Sequence, residues 1–377
     1  MPTLRLGGHV STSVVDPALV GMVSFGLLGE EVLVDLGPAE SFDVVALQQL
    51  LSAMAARARS GHRTRLRLPV AATARHQLRL WRFPDAVSAV TRTPFQHVVL
   101  AEDHAYFGEE WPAPRAGDGP HSPRASVHAY LSAQHCFGLR PYVLTDPGTR
   151  QRMLPDEVSH WGGHALMRLL ESVLAGPAAD VLRVLVQEMV SSVPQRSHAS
   201  VALIGAQLEL RGTADGTGVL TISEWDDGDL EPYWLRKAIG TGPLAREVFR
   251  VHRAGRPMES YHARRRPLPD TDDAELLLAS VVRSSPYDPD PSEGGWGSHR
   301  IYSLYKSVVD TFRGVLRIDS GRHRLEVSAD PLGGYRGDLA SAPQHTHHED
   351  RLVSPRLPVR DVRGPPDPPP PHDCLRA

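Results

Sequence analysis

The stretch GGWGSHRIYSLYKSVVDTFRGVLRIDSG, residues 294–321, sets three glycines in four positions directly against an apolar helical pattern. Glycines let backbone N–H groups approach an anion closely, and a helix N-terminus adds a favourable dipole, so a glycine turn feeding a helix is one way to cradle phosphate. The same residues also suit a surface loop that ends in an ordinary cap, with Ser298 as the N-cap. After it, Ile301, Tyr305, Val308 and Phe312 recur at helical spacing, and GVLRIDSGRHRLEV (314–327) alternates as a closing hairpin.

Upstream of that turn, Val158, Trp161, Leu166, Leu169, Leu170 and Val173 mark a helix within 157–176, and a second helix starts at Pro177, a residue favoured at the first helical position. ASVALIGAQLEL (199–210) and GVLTISEW (218–225) flank TADGT, whose Asp215 and Gly216 are strong turn formers, so an antiparallel hairpin is expected. Residues 251–293 are polar and arginine-rich with several prolines, the composition of a mobile excursion. The stretch 341–377 is proline-rich and reads as a disordered tail.

The first hundred residues alternate strand and helix patterns. EVLVDLG (31–37) reads as a buried strand, and Val45, Leu47, Leu50, Leu51 and Met54 lie on one face of a helix over 44–61 that Gly61 ends. TRLRLPV (64–70) is a second strand, HQLRLWRF (76–83) a further helix and HVVLA (97–101) a third strand, a β-α-β-α-β order. Residues 108–126 are rich in Pro, Gly and Ser and read as a connection. The expected organisation is therefore a domain at 1–107, a linker at 108–126, a second domain at 127–335 and the tail at 341–377.

Net charge is −3, and Lys237 and Lys306 are the only lysines among many arginines. No charged block dominates, which argues against nucleic acid and membrane as partners. Cys136 and Cys374 are far apart and make no disulfide framework. No run approaches the ~18 apolar residues of a spanning helix, and the N-terminus lacks a basic region followed by an apolar core, so a cytoplasmic protein is expected.

The order of the second half, helix, hairpin with an acidic turn, polar excursion, glycine turn, helix and terminal hairpin, resembles the Bergerat-fold ATPases, which include histidine kinase catalytic domains and the anti-sigma-factor serine kinases. The resemblance covers about 155–330, and it implies an α/β sandwich whose mixed sheet is covered by helices on one face. In that family a helix carries a Glu that orients the reacting hydroxyl or water and, one turn later, an Asn that coordinates magnesium. VQEMVSSV places Glu188 in the first position and Ser192 in the second, on one helix face. The family's first glycine box, Asp-x-Gly-x-Gly, is matched by Asp226 and Gly228 in EWDDGDLEP, with Leu230 in place of the second glycine, and the resemblance implies that Asp226 contacts adenine. In the second box Gly297 is retained while His299 and Ile301 occupy later glycine positions; Gly294 and Gly295 move the flexible turn earlier, and His299 and Arg300 would offer positive charge to phosphate. The bland alternatives are a solvated helix face for Glu188 and Ser192, an acidic strand-ending turn for Asp226 and a surface position for Arg300. Three boxes each lacking a signature residue imply weak or absent turnover, with ATP and Mg2+ as the implied cofactors.

VLVDLGPAESFDVVALQQLLSAMAARARSGHRTRLRLP is similar to the STAS-type anti-sigma-factor antagonists, in which the helix start carries a Ser or Thr phosphorylated by the partner kinase. Here Val44 and Val45 stand in that place, so the phosphorylation switch does not carry over. The two resemblances together imply an ATP-binding regulatory protein of the partner-switching type, acting on a protein partner of the sigma-factor or antagonist kind, with homodimerisation left open; a non-catalytic scaffold for protein interaction is the alternative. His345, His347 and His348, the His135–Cys136 pair, the arginines at 264–266 and the segment PPDPPPP read as composition, a structural cysteine, a solvated loop and a possible ligand for an aromatic groove.

Overall fold

The computed structural model describes residues 1–27, 31–107, 134–143, 199–210, 217–228, 249–253, 256–257, 277, 307–320, 323–331, 335–341, 349–354 and 356–358. The helices expected at 157–176 and from 177, the connection 108–126 and the glycine turn at 294–297 lie outside these residues.

The described chain is α/β. In its first part, β1 (Thr3–Arg5), β3 (Val32–Asp35) and β5 (Thr64–Arg67) form a parallel sheet in the order β1-β3-β5, and β2 (Gly8–Val10) pairs in parallel with β4 (Ala39–Phe42). Around them lie α1 (Thr12–Leu27), α2 (Val44–Arg59), α3 (Ala72–Leu80), α4 (Phe83–Thr91) and α5 (Phe95–Val98). All four residues of β3 are buried, as an uninterrupted apolar run in a covered parallel strand requires. The expected helix and strand over 44–61 and 64–70 are thus present as α2 and β5. The strand expected over 97–101 is not: residues 95–98 form α5, a 3-10 turn follows at Ala101–Phe107, and a single bridge joins Val99 to Leu66. The cause is a contact distant in sequence: the Arg65 guanidinium donates to the His97 carbonyl at 2.8 Å and takes an acceptor that a ladder would have used.

Helix α2 ends by a Schellman arrangement. The His62 N–H donates to Arg57 O at 2.9 Å and the Gly61 N–H to Ala58 O at 3.0 Å, with Gly61 at φ 77°. Its burial is broader than one apolar face: Gln48, Gln49 and Ser52 are buried along with Leu47, Leu50, Leu51 and Met54.

The reason is a second layer. β6 (Gln134–Val143), β7 (Val201–Leu210), β8 (Thr217–Asp226), β9 (Phe249–Arg253), β10 (Arg256–Pro257), β11 (Val315–Ser320), β12 (His323–Ala329), β13 (Tyr335–Ser341), β14 (Glu349–Ser354) and β15 (Arg356–Pro358) make a mixed ten-stranded sheet. Its order is β10-β9-β13-β12-β11-β14-β8-β7-β6, with β15 also on β8; β13 and β9 run parallel and the other pairs antiparallel. The two hairpins expected from alternation are β7–β8 and β11–β12. Strands β9 and β10 fall inside or beside the excursion expected at 251–293, and β14 and β15 fall inside the stretch expected to be a disordered tail. Before β11, Val308, Val309 and Phe312 are buried around one wide helical turn at Ser307–Thr311.

Helix α2 packs on β7 and β8, and one core cluster runs from the parallel sheet through α2 to Leu139, Val201, Leu203 and Trp225. Gly205 permits the close approach: a Cβ there would lie 2.7 Å from Val44 Cγ2 and 3.0 Å from Leu139 Cδ2. Three hydrogen bonds seal the contact. Gln207 Oε1 accepts from the Val44 N–H at 3.1 Å, while the Gln48 amide donates to the carbonyls of Leu203 and Ser223, each at 3.3 Å. Val44 N is one of the donors a helix start leaves without an intrahelical partner, and the Asp43 side chain makes no cap to the helix, so the sheet supplies the acceptor.

On β11, in the middle of the sheet, Asp319 is fully buried and receives hydrogen bonds from Arg317 and Arg324; Arg324 also reaches Asp16 of α1 at 3.6 Å. Burial alone would raise the Asp319 carboxyl, but the bonds and charges of the two arginines outweigh it and hold the group below its ordinary range. For Asp16 burial wins over Arg324, and the carboxyl is pushed up.

Candidate functional site

Strand β8 carries the acidic run Glu224-Trp225-Asp226-Asp227 into a turn. Strand alternation separates its members. Leu203 and Trp225 stand opposite each other in the β7–β8 register and belong to the core cluster with α2. Asp227, in phase with Trp225, turns to the same side, and Asp226 and Glu224 take the face of the sheet away from α2.

Asp227 is a clasp. Its carboxylate accepts from the backbone N–H of Ser200 at 2.6 Å, from that of Val201 at 2.8 Å and from the Ser200 hydroxyl. Arg59, in the last turn of α2, brings its guanidinium within 3.7 Å of the same carboxylate, and Arg92 at the end of α4 donates to Ser200 Oγ at 3.0 Å. Burial lowers the Arg59 guanidinium from its ordinary value, and the Asp227 charge opposes that shift. The strand end is therefore tied to two helices of the N-terminal part.

Asp226 is only 5% exposed, and its Oδ1 accepts from the Gly228 N–H at 2.8 Å, the short-range turn that an Asp-x-Gly sequence favours. That bond orients the carboxylate across the other face of the sheet. Glu224, two residues earlier on that face, is 2% exposed. Glu224 and Asp226 thus share a sheet face with the buried apolar residues Ile204, Ala206 and Ile222.

Of the site residues expected from sequence, the structure brings Asp226 and Gly228 together. Glu188, Ser192, Gly294, Gly295, Gly297, His299 and Arg300 lie outside the described residues. The sequence reading passed over Glu224, although the Glu-x-Asp spacing in a strand already places both carboxylates on one side. Asp227 stands in the same acidic run as Asp226, and its role depends on Ser200 and Arg59, both far away in the chain. Among the described residues no group of three or more His, Cys, Asp or Glu is arranged to hold a metal ion. The described residues supply no magnesium ligand set. Among them, too, no helix is long and apolar enough to cross a membrane. No protein-family model, curated protein or solved structure matches the chain.

Proposed function

We propose that the chain is a cytoplasmic ATP-binding regulatory protein of the anti-sigma-factor, partner-switching type, in which a STAS-like unit (1–107) sits in cis on a degenerate histidine-kinase-like ATPase unit (127–335). The observation that carries this reading is the docking of the α2 start. In the antagonists that the first part resembles, this is where the phosphoacceptor hydroxyl stands and where the partner kinase acts. Here Val44 occupies the place, is fully buried, contacts Gly205 and gives its N–H to Gln207 of the sheet that the second resemblance assigns to the kinase. An antagonist-like surface without its hydroxyl, closed on the kinase-like sheet, behaves as a permanent internal partner rather than a substrate.

On this reading adenine lies against Asp226, the phosphates against the turn at 294–300, and Mg2+ near Ser192, with Glu188 positioning the acceptor hydroxyl of a protein partner if phosphoryl transfer persists. Turnover is weak or absent because each of the three boxes departs from the family pattern. The buried, hydroxyl-free α2 start carries the internal-partner arrangement, which the second reading shares, a pseudo-ATPase scaffold that serves as a protein interaction module; nucleotide binding is what separates the two.

Titration of the full chain with a fluorescent ATP analogue, with and without Mg2+, separates the two. Saturable binding that Asp226→Ala weakens at least about tenfold, the loss of one charge-assisted hydrogen bond, supports the nucleotide reading. No binding at millimolar analogue removes it and leaves the scaffold.

A further inference from the structure

A cleft of about 610 Å³ opens where α2 and α4 end and β5 begins, and Asp226 is not among the residues that line it. Its charged lining residues are Arg63 and Arg65, accompanied by His62, His97 and His104, with no carboxylate among the lining residues. Its floor is apolar, made by Met54, Ala58, Val98 and Val99. That combination, a cationic rim over a hydrophobic base, matches an organic anion better than an inorganic one.

The helix ends beside the cleft would by themselves favour a cation, since their last carbonyls carry partial negative charge. Those of α2 are already occupied. Ala56 O accepts from the Ser60 N–H and hydroxyl, Ala58 O from Gly61 and Arg57 O from His62. The Arg57 guanidinium turns back to donate to Arg63 O at 3.0 Å and Thr64 Oγ1 at 3.2 Å, which holds the loop in place. At the end of α4 the Thr91 hydroxyl covers Val87 O at 2.7 Å. The field in the cleft is thus set by its side chains.

The two arginines are prepared differently. Arg65 is pre-oriented, its Nε donating to Glu31 Oε1 at 3.1 Å and its Nη1 to His97 O at 2.8 Å. Arg63 is exposed, and its guanidinium makes no bond among the described residues. A fixed guanidinium beside a free one is an arrangement that can hold a tetrahedral dianion by charge-assisted bonds.

We propose that this cleft binds a small organic phosphate, its phosphoryl group held by Arg63 and Arg65 with the histidines alongside and its carbon portion resting on the Met54–Val98–Val99 floor.

The test is calorimetric titration of the full-length protein with phenyl phosphate, inorganic phosphate and benzoate, combined with imidazole NMR signals. Phenyl phosphate should bind saturably and shift the signals of His62, His97 and His104. Inorganic phosphate should bind roughly tenfold more weakly for want of the floor, about the worth of burying one small apolar group. Arg63→Ala should weaken phenyl phosphate about tenfold while leaving thermal unfolding unchanged, since this side chain holds nothing in the fold. Asp226→Ala should leave the binding intact, which separates this cleft from the nucleotide site proposed above. Absence of saturable heat up to roughly 10 mM, a range that reaches affinities of only a few kcal/mol, overturns the proposal. So does benzoate binding as tightly as phenyl phosphate, or an Arg63→Ala protein that binds as the parent does.

Discussion

Gly205→Ala is the most direct probe of the contact on which the architecture rests. A methyl group at this position would lie 2.7 Å from Val44 Cγ2 and 3.0 Å from Leu139 Cδ2, both within the buried seam between α2 and the sheet. Neither neighbour has room to yield, because Val44 opens a helix whose N–H is held by Gln207 and Leu139 is tied by its own N–H to Trp81 O at 2.8 Å. Two opposing terms decide the sign. Replacing glycine in an extended strand reduces the entropy of the unfolded chain and favours folding by about 0.4–1 kcal/mol. Overpacking of a closed core costs about 1–3 kcal/mol, and lifting α2 would stretch the Gln207 and Gln48 bonds, each worth about 1 kcal/mol. The expected net loss is about 1–3 kcal/mol, read as a lower urea midpoint. Val44→Ala removes the methyl that clashes, so in the double variant the two losses should fall short of their sum by about 1 kcal/mol. A Gly205→Ala protein within about 0.5 kcal/mol of the parent, or strict additivity with Val44→Ala, would refute the close packing of α2 on β7.

The acid limb of stability should carry the imprint of Asp319 and Asp16 with opposite signs. Asp319 titrates below its ordinary 3.8 when folded, so its contribution is complete above that value and is lost as pH falls through the folded pKa. Asp16 titrates above 3.8 when folded, so its contribution is greatest below that value and fades as pH rises through the folded pKa. Urea midpoints taken from neutrality into acid should therefore show Asp319→Asn less stable at neutrality with a shallower acid loss, and Asp16→Asn no less stable than the parent at neutrality; the reverse order would contradict the arrangement around Arg324. Gln49 and Ser52 of α2 are buried, at 1% and 0% exposure, with side-chain polar atoms that find no hydrogen-bond partner among the described residues. Gln49→Met, of similar length and apolar, should raise stability by about 1 kcal/mol in the same assay, and a loss of that size would mean that the amide is bonded after all.

Elements whose causes are local were legible from the residues alone. The 44–61 helix shows in its apolar spacing, and its end at Gly61 needs only bonds that reach back to Arg57 and Ala58. Both antiparallel hairpins show in two-residue alternation, and the Asp-x-Gly turn closes between residues two apart. The strand expected at 97–101 failed for want of one long-range fact, that Arg65 claims the His97 carbonyl.

What the chain's order of residues determined, then, is which segments curl and which extend, because those choices are made by neighbours within a few positions. The tertiary structure decided which of two adjacent aspartates fastens the strand to the helices and which faces the opposite side, why a glutamine and a glycine sit where larger or apolar residues would serve a free-standing unit, and that Asp319 lies between two arginines. Gln48 finds its acceptors 155 and 175 residues away, and Val44 finds its own 163 residues away. Contacts across such separations leave no period in the sequence, since their partners are chosen only when two layers close on one helix.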